Sequence, residues 1–315
     1  MLADALIQVV ALLNVVLLAP LLKGAIDNAK GKVQGRYGPP LLQPYRDLRK
    51  LLRKERMASQ HSSWVSRLTP YVVFASPLAF AVLIPVLTAF PVSWAFMADM
   101  VGSGFVIGIS GFFLNLAAMD GGSPYGGLGA SRARLVSALA EPTFIVVFFA
   151  VAFISSSTVP FKVAPALFVA TPIVAPSHAL LAAAFFMVVL AEAGRIPVDN
   201  PATSQELSMI EESRLFEFSG PDQAILLWGG WMKLFVILIV WLNVLILPLG
   251  LATAPTPLAI GIAILTLAGK MLGAALLIVG VESALSKIRI LRVPEFLGVS
   301  FVLSVLSLIL FNLGV

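Results

Sequence analysis

Eight separate stretches of this chain are apolar over about 20 residues each, the length an α-helix needs to cross roughly 30 Å of hydrocarbon. They are expected near 2–22, 70–90, 96–119, 135–155, 173–192, 224–247, 258–281 and 294–313. Because lipid cannot satisfy backbone polar groups, such runs restrict the chain to helices. Composition agrees: 59% of residues are hydrophobic and 12% charged, against about 25% charged in an average soluble domain. The expected fold class is therefore an all-α integral membrane protein with about eight transmembrane helices. It is read as one polytopic domain over 1–315, with polar loops near 23–68, 120–134, 194–223 and 282–293.

Charge placement tests the count. With eight spans, the loops after spans 1, 3, 5 and 7 hold eighteen Lys and Arg residues, whereas the other set holds only Lys162. Positively charged loops stay on the cytoplasmic side, so both termini are expected on the non-cytoplasmic face of a cell membrane. The residues preceding the first apolar run carry no basic n-region, and that run is longer than a signal-peptide core, so it reads as a retained helix.

Several chemistries find little support. There is no cysteine, and the two histidines, His61 and His178, stand in unrelated contexts, which removes the usual ligands of iron–sulfur, haem, zinc and copper centres. No cofactor is expected on this chain, and any redox metal is expected in a partner. The glycine-rich run 121–129 lacks the Gly-Lys-Ser/Thr of a phosphate loop and reads as a turn. Gly104 and Gly108 have helix-packing spacing. The net charge of +5 comes from the loops and does not argue for nucleic acid.

Two loops carry most of the polar information. In the first, six of the eleven residues from Arg46 to Arg56 are basic, and Leu48, Leu51 and Leu52 fall on one helical face. This is either an amphipathic helix against an anionic surface or a plain topology anchor. In the second, Glu192, Asp199, Glu206, Glu211, Glu212 and Glu217 crowd the membrane border, and Thr203 with Glu206 fits a capping box that would start a short helix. Carboxylates placed there either exchange protons or form a solvated acidic face.

Charges within the spans cost at least about 2.5 kcal/mol each at the bilayer centre and need a reason. Glu141 precedes helix-distorting Pro142, Lys233 and Lys270 lie in the sixth and seventh spans, and Glu192 closes the fifth. Proton relay competes with interhelical ion pairing or snorkelling to the interface; the two are evenly matched for Lys233, whereas Glu141 and Lys270 sit deeper in their spans.

The motifs themselves are distinctive. Arg36-Tyr-Gly-Pro39 with Gln43-Pro44 and Asp47 resembles the first loop of the NADH dehydrogenase subunit 1 family. Asp120 to Arg132, Ala140-Glu141-Pro142, Glu192 to Thr203, Glu206-Leu, Glu217-Phe-Ser-Gly220 and Lys287 to Pro294 resemble its hydrogenase branch, which includes formate hydrogenlyase subunit 4 and hydrogenase-4 component C.

That resemblance implies a membrane-anchoring, proton-coupling subunit of a group 4 type nickel–iron hydrogenase complex. Its partners would be the peripheral hydrogenase large and small subunits, which hold the iron–sulfur and nickel–iron centres, together with antiporter-like membrane subunits and the lipid bilayer. Glu141, Glu192, Asp199, Glu206, Glu211, Glu212, Glu217 and Lys270 are the proton-coupling candidates; Arg36, Arg46 and Arg195 would face the peripheral arm. Quinone-reducing relatives usually read Asn-Arg-Ala-Pro-Phe-Asp where this chain has Gly194 to Asp199, which weakens the alternative of a quinone-chamber subunit in an NADH:quinone oxidoreductase. A stand-alone secondary transporter is the third reading, but the two related halves usual for that class are missing.

Overall fold

The computed structural model describes residues 2–59, 62–91, 99–170, 175–200 and 209–313. Within them, ten α-helices follow one another: α1 Leu2–Val33, α2 Gln43–Leu52, α3 Trp64–Leu83, α4 Met100–Asp120, α5 Pro124–Ser155, α6 Pro160–Ala170, α7 Pro176–Glu192, α8 Gly220–Val240, α9 Pro257–Ala284 and α10 Val293–Asn312. Among the described residues seven helical stretches are long and apolar enough to span a membrane, in α1, α3, α4, α5, α8, α9 and α10, and no strand forms. The protein is an all-α integral membrane protein.

The fifth expected span is α7, and it is short. Its 17 residues rise about 25 Å, slightly less than the hydrocarbon thickness. Pro176 opens it at a position that needs no backbone N–H, and residues 171–174, where the span was expected to begin, lie outside the described ones.

Helices run further into the polar loops than hydropathy indicates. α1 continues to Val33, so Lys23, Asp27 and Lys30 are helical; a solvated helix end needs no apolar residues, only an intact backbone ladder. The expected loop 120–134 is largely the start of α5. Ser123 accepts the Gly126 N–H and Pro124 occupies the first turn, and this capping outweighs the glycines that suggested a turn. α6 lies where only a loop was expected, being too short at 11 residues to register as a span. α2 is the amphipathic segment: Pro44 and Leu48 are buried, Leu51 is half-buried, and Leu52 and all the basic residues from Arg46 to Arg56 are exposed.

α8 is the central helix. Its second half is apolar all round, as a helix surrounded by others must be, and Leu234 to Leu245 are buried without a break. α1 and α3 pack on it, α4 on α3, α5 on α4, α7 on α5, and α10 on both α5 and α7. Ser300 and Ser307 of α10 donate to the Ala184 and Ser177 carbonyls of α7 at 2.7 Å, cross-helix bonds of the kind that hold membrane helices together. Beyond Val240 the helix widens to a π turn over Trp241–Ile246. Buried His178 shares a 2.5 Å hydrogen bond with the Leu245 carbonyl of that turn.

Candidate functional site

At the end of the bundle that carries the basic loops, α1, α2, α4, α5 and α8 surround a cavity of about 370 Å³ closed on one side by the α7–α8 loop. Its walls hold nine charged residues, among them Lys23, Asp27, Glu192, Arg195, Glu211, Glu212 and Lys233. A second cavity, of about 590 Å³, lies between α4 and α5. It is lined mainly by Phe105, Ile109, Phe112, Phe144 and Ile145, with Asn115, Arg134, Ser137, Glu141 and Glu192 as its polar groups. Glu192 and Ser137 belong to both walls.

Glu192 reaches this position because α7 ends there. Its Oε2 accepts from Lys233 Nζ of α8 at 2.6 Å, with both side chains largely buried. Ion pairing is therefore the state in which Lys233 is held, and its partner is one of the proton-coupling candidates. Beyond Glu192 the chain turns at Gly194, whose φ of +57° suits glycine and whose Cα faces the Glu211 side chain so closely that a Cβ would collide with it.

Asp199 organises the rest of the loop. Its Oδ2 accepts from the backbone N–H groups of Ile210 and Glu211 at 3.2 and 3.0 Å, and its Oδ1 accepts from Lys287 Nζ at 2.7 Å. Four hydrogen bonds, including one to the Asn200 N–H, leave this buried carboxylate saturated, so it works as a brace for the neighbouring acids. Glu211 pairs with Arg214, which donates to Asn115 Oδ1 at 2.9 Å. Glu212 sits exposed at the cavity mouth; partial desolvation there raises its carboxyl above the usual carboxylate range, with Lys23 opposing and Asp199 adding to the shift.

The other candidates lie elsewhere. Glu217 packs over Gly121 and lines a small separate recess with Arg56 and Asp222. Lys270 donates to Asn243 Oδ1 at 2.8 Å and borders neither of the two cavities. Glu206 and the proposed capping box at Thr203 fall outside the described residues. Arg36 and Arg46 are exposed, whereas the Arg195 side chain is 5% exposed, lies 3.4 Å from Glu282 and lines the charged cavity.

Glu282 is the participant that sequence reasoning missed. It falls one residue past the expected end of its span and reads as loop, yet it is fully buried in the last turn of α9, accepting from Lys30 at 2.9 Å and pairing with Arg195. Together Glu282 of α9 and Lys287, just beyond its end, peg the α7–α8 loop at Arg195 and Asp199.

Known proteins share this architecture. A chain of the membrane-bound sulfane sulfur reductase, an archaeal respiratory membrane complex, superimposes with a TM-score of 0.85 over 98% of this chain and 99% of its own length, at 20% identity. Formate hydrogenlyase subunit 4 of Escherichia coli (strain K12) is 30% identical over 289 residues, 90% of this chain and 91% of that protein. Hydrogenase-4 component C of the same organism is 33% identical over 251 residues, covering 79% and 76%. The sequence profile of the NADH dehydrogenase family matches residues 6–312, nearly the whole length. The chain belongs to the NADH dehydrogenase subunit 1 family, in the branch with the formate hydrogenlyase and hydrogenase-4 membrane subunits.

Proposed function

We propose that this chain is the membrane-anchoring, proton-coupling subunit of a group 4 type nickel–iron hydrogenase complex of the formate hydrogenlyase kind. It would sit in the cell membrane with both termini outside and its basic loops in the cytoplasm. The observation that carries the reading is that Glu192 lines both the charged cavity and the lateral one. A carboxyl group shared by two cavities can take a proton from one and deliver it to the other when its bond to Lys233 loosens.

In this reading Glu212 and Glu211 load the first cavity, Glu192 and Ser137 form the passage, and Glu141 receives the proton on the lateral side. Asp199 and Glu282 hold the loop in place. Glu217 and Lys270 take no part in the passage. Arg36, Arg46 and the exposed basic face of α2 meet the peripheral hydrogenase large and small subunits, whose iron–sulfur and nickel–iron centres carry out the electron chemistry. Antiporter-like subunits lie beyond the lateral cavity.

The test is the purified complex in proteoliposomes, driven by reduced methyl viologen and followed by hydrogen evolution and a pH-sensitive dye. Glu192→Gln is expected to keep hydrogen evolution and abolish the proton signal. An unchanged proton signal removes Glu192 from the passage, and a complex without nickel removes the hydrogenase assignment.

A further inference from the structure

The two lysines deepest in the spans are held differently. Lys233 has a carboxylate partner, whereas Lys270 is held by the neutral amide of Asn243 and forms no ion pair among the described residues. That amide is itself fixed, for its Nδ2 donates to the Pro85 and Val86 carbonyls at 2.9 and 3.2 Å. Lys270 stands at the centre of α9, about 20 Å from either helix end, which is further than a lysine can snorkel. An ammonium group is therefore held at mid-membrane depth without a countercharge from the described residues.

The helix surface around it is open. Ile262, Gly273, Leu277 and Gly280 share a face with Lys270 and are exposed, and a Cβ added at Gly273 or Gly280 meets nothing within 4 Å. α1 covers the opposite side of α9. Small residues beside an uncompensated charge let a second helix approach closely enough to pair with it.

We infer that this face of α9 docks a transmembrane helix of another subunit, and that this helix carries an aspartate or glutamate at the depth of Lys270. The inference rests on the reading that the chain works inside a membrane complex. The partner's carboxylate supplies the missing countercharge, and Asn243 fixes the depth at which the ammonium group is held.

Because the chain has no cysteine, Leu277→Cys is a unique handle for a benzophenone maleimide, photolysed in the intact complex in native membranes. The expected adduct is a transmembrane peptide of another integral subunit containing Asp or Glu. Lys270→Met should lower its yield about tenfold, the effect of losing one interhelical pair. Lys270→Glu combined with the reciprocal acid-to-lysine change in the partner should restore it. Adducts on phospholipid alone, on a second copy of this chain or on a segment lacking an acid overturn the docking surface, as does a yield unaffected by Lys270→Met, while leaving the complex intact. Purification of the chain without any other integral subunit overturns the complex and, with it, the inference.

Discussion

Lys233 of α8 and Glu192 of α7 are joined at 2.6 Å in the wall of the charged cavity, where Glu192 also borders the lateral one, with side chains 17% and 11% exposed. Each charge is tolerable at that depth because of the other. Removing one strands its partner, whereas removing both leaves two neutral groups.

Lys233→Met and Glu192→Gln are each expected to destabilise the protein by about 3 kcal/mol, and the double variant by less than either single change. Thermal unfolding in detergent gives the cycle. Additive losses would mean that the pair contributes no coupling.

Glu282 clamps Lys30 and Arg195 with its own side chain fully buried. Glu282→Gln keeps the volume but leaves two cations without a countercharge, so a loss of about 3 to 5 kcal/mol is expected. Hydrogen exchange should at the same time rise in 194–200, the segment that Arg195 anchors. Protection unchanged there would show that Lys287 and Asp199 suffice.

Gly194→Ala must place a methyl group in the left-handed region and against Glu211, and is expected to cost at least about 1 to 2 kcal/mol. Gly127→Ala, in α5 with open space around it, should be neutral or slightly stabilising. Equal melting temperatures for the two variants would contradict the geometry of the turn.

Glu212 has its carboxyl raised, chiefly by desolvation, so its proton is held more tightly in the folded protein. The associated stabilisation is present below the ordinary carboxylate value and is lost as pH rises through the raised one. Relative to Glu212→Gln, the wild-type chain should therefore lose melting temperature as pH rises from below the ordinary carboxylate range to above it. A difference that stays flat across that range would place the group in free solvent.

Hydropathy and charge segregation alone determined the class of this protein and the border where its acids gather. Those features follow from lipid demanding apolar length and from loops keeping their positive charge, and both are local properties of the chain. The motifs around Glu141 and Glu192 added the family. Tertiary structure alone decided which charges meet. Lys30 and Glu282 are 252 residues apart, and Lys233 and Glu192 are 41 apart, so no local spacing announces either pair. It also turned Arg195 inward, made a brace of Asp199 and extended helices into segments that read as loops. The reason is physical: burial and countercharge are properties of the assembled bundle, set by which faces pack together.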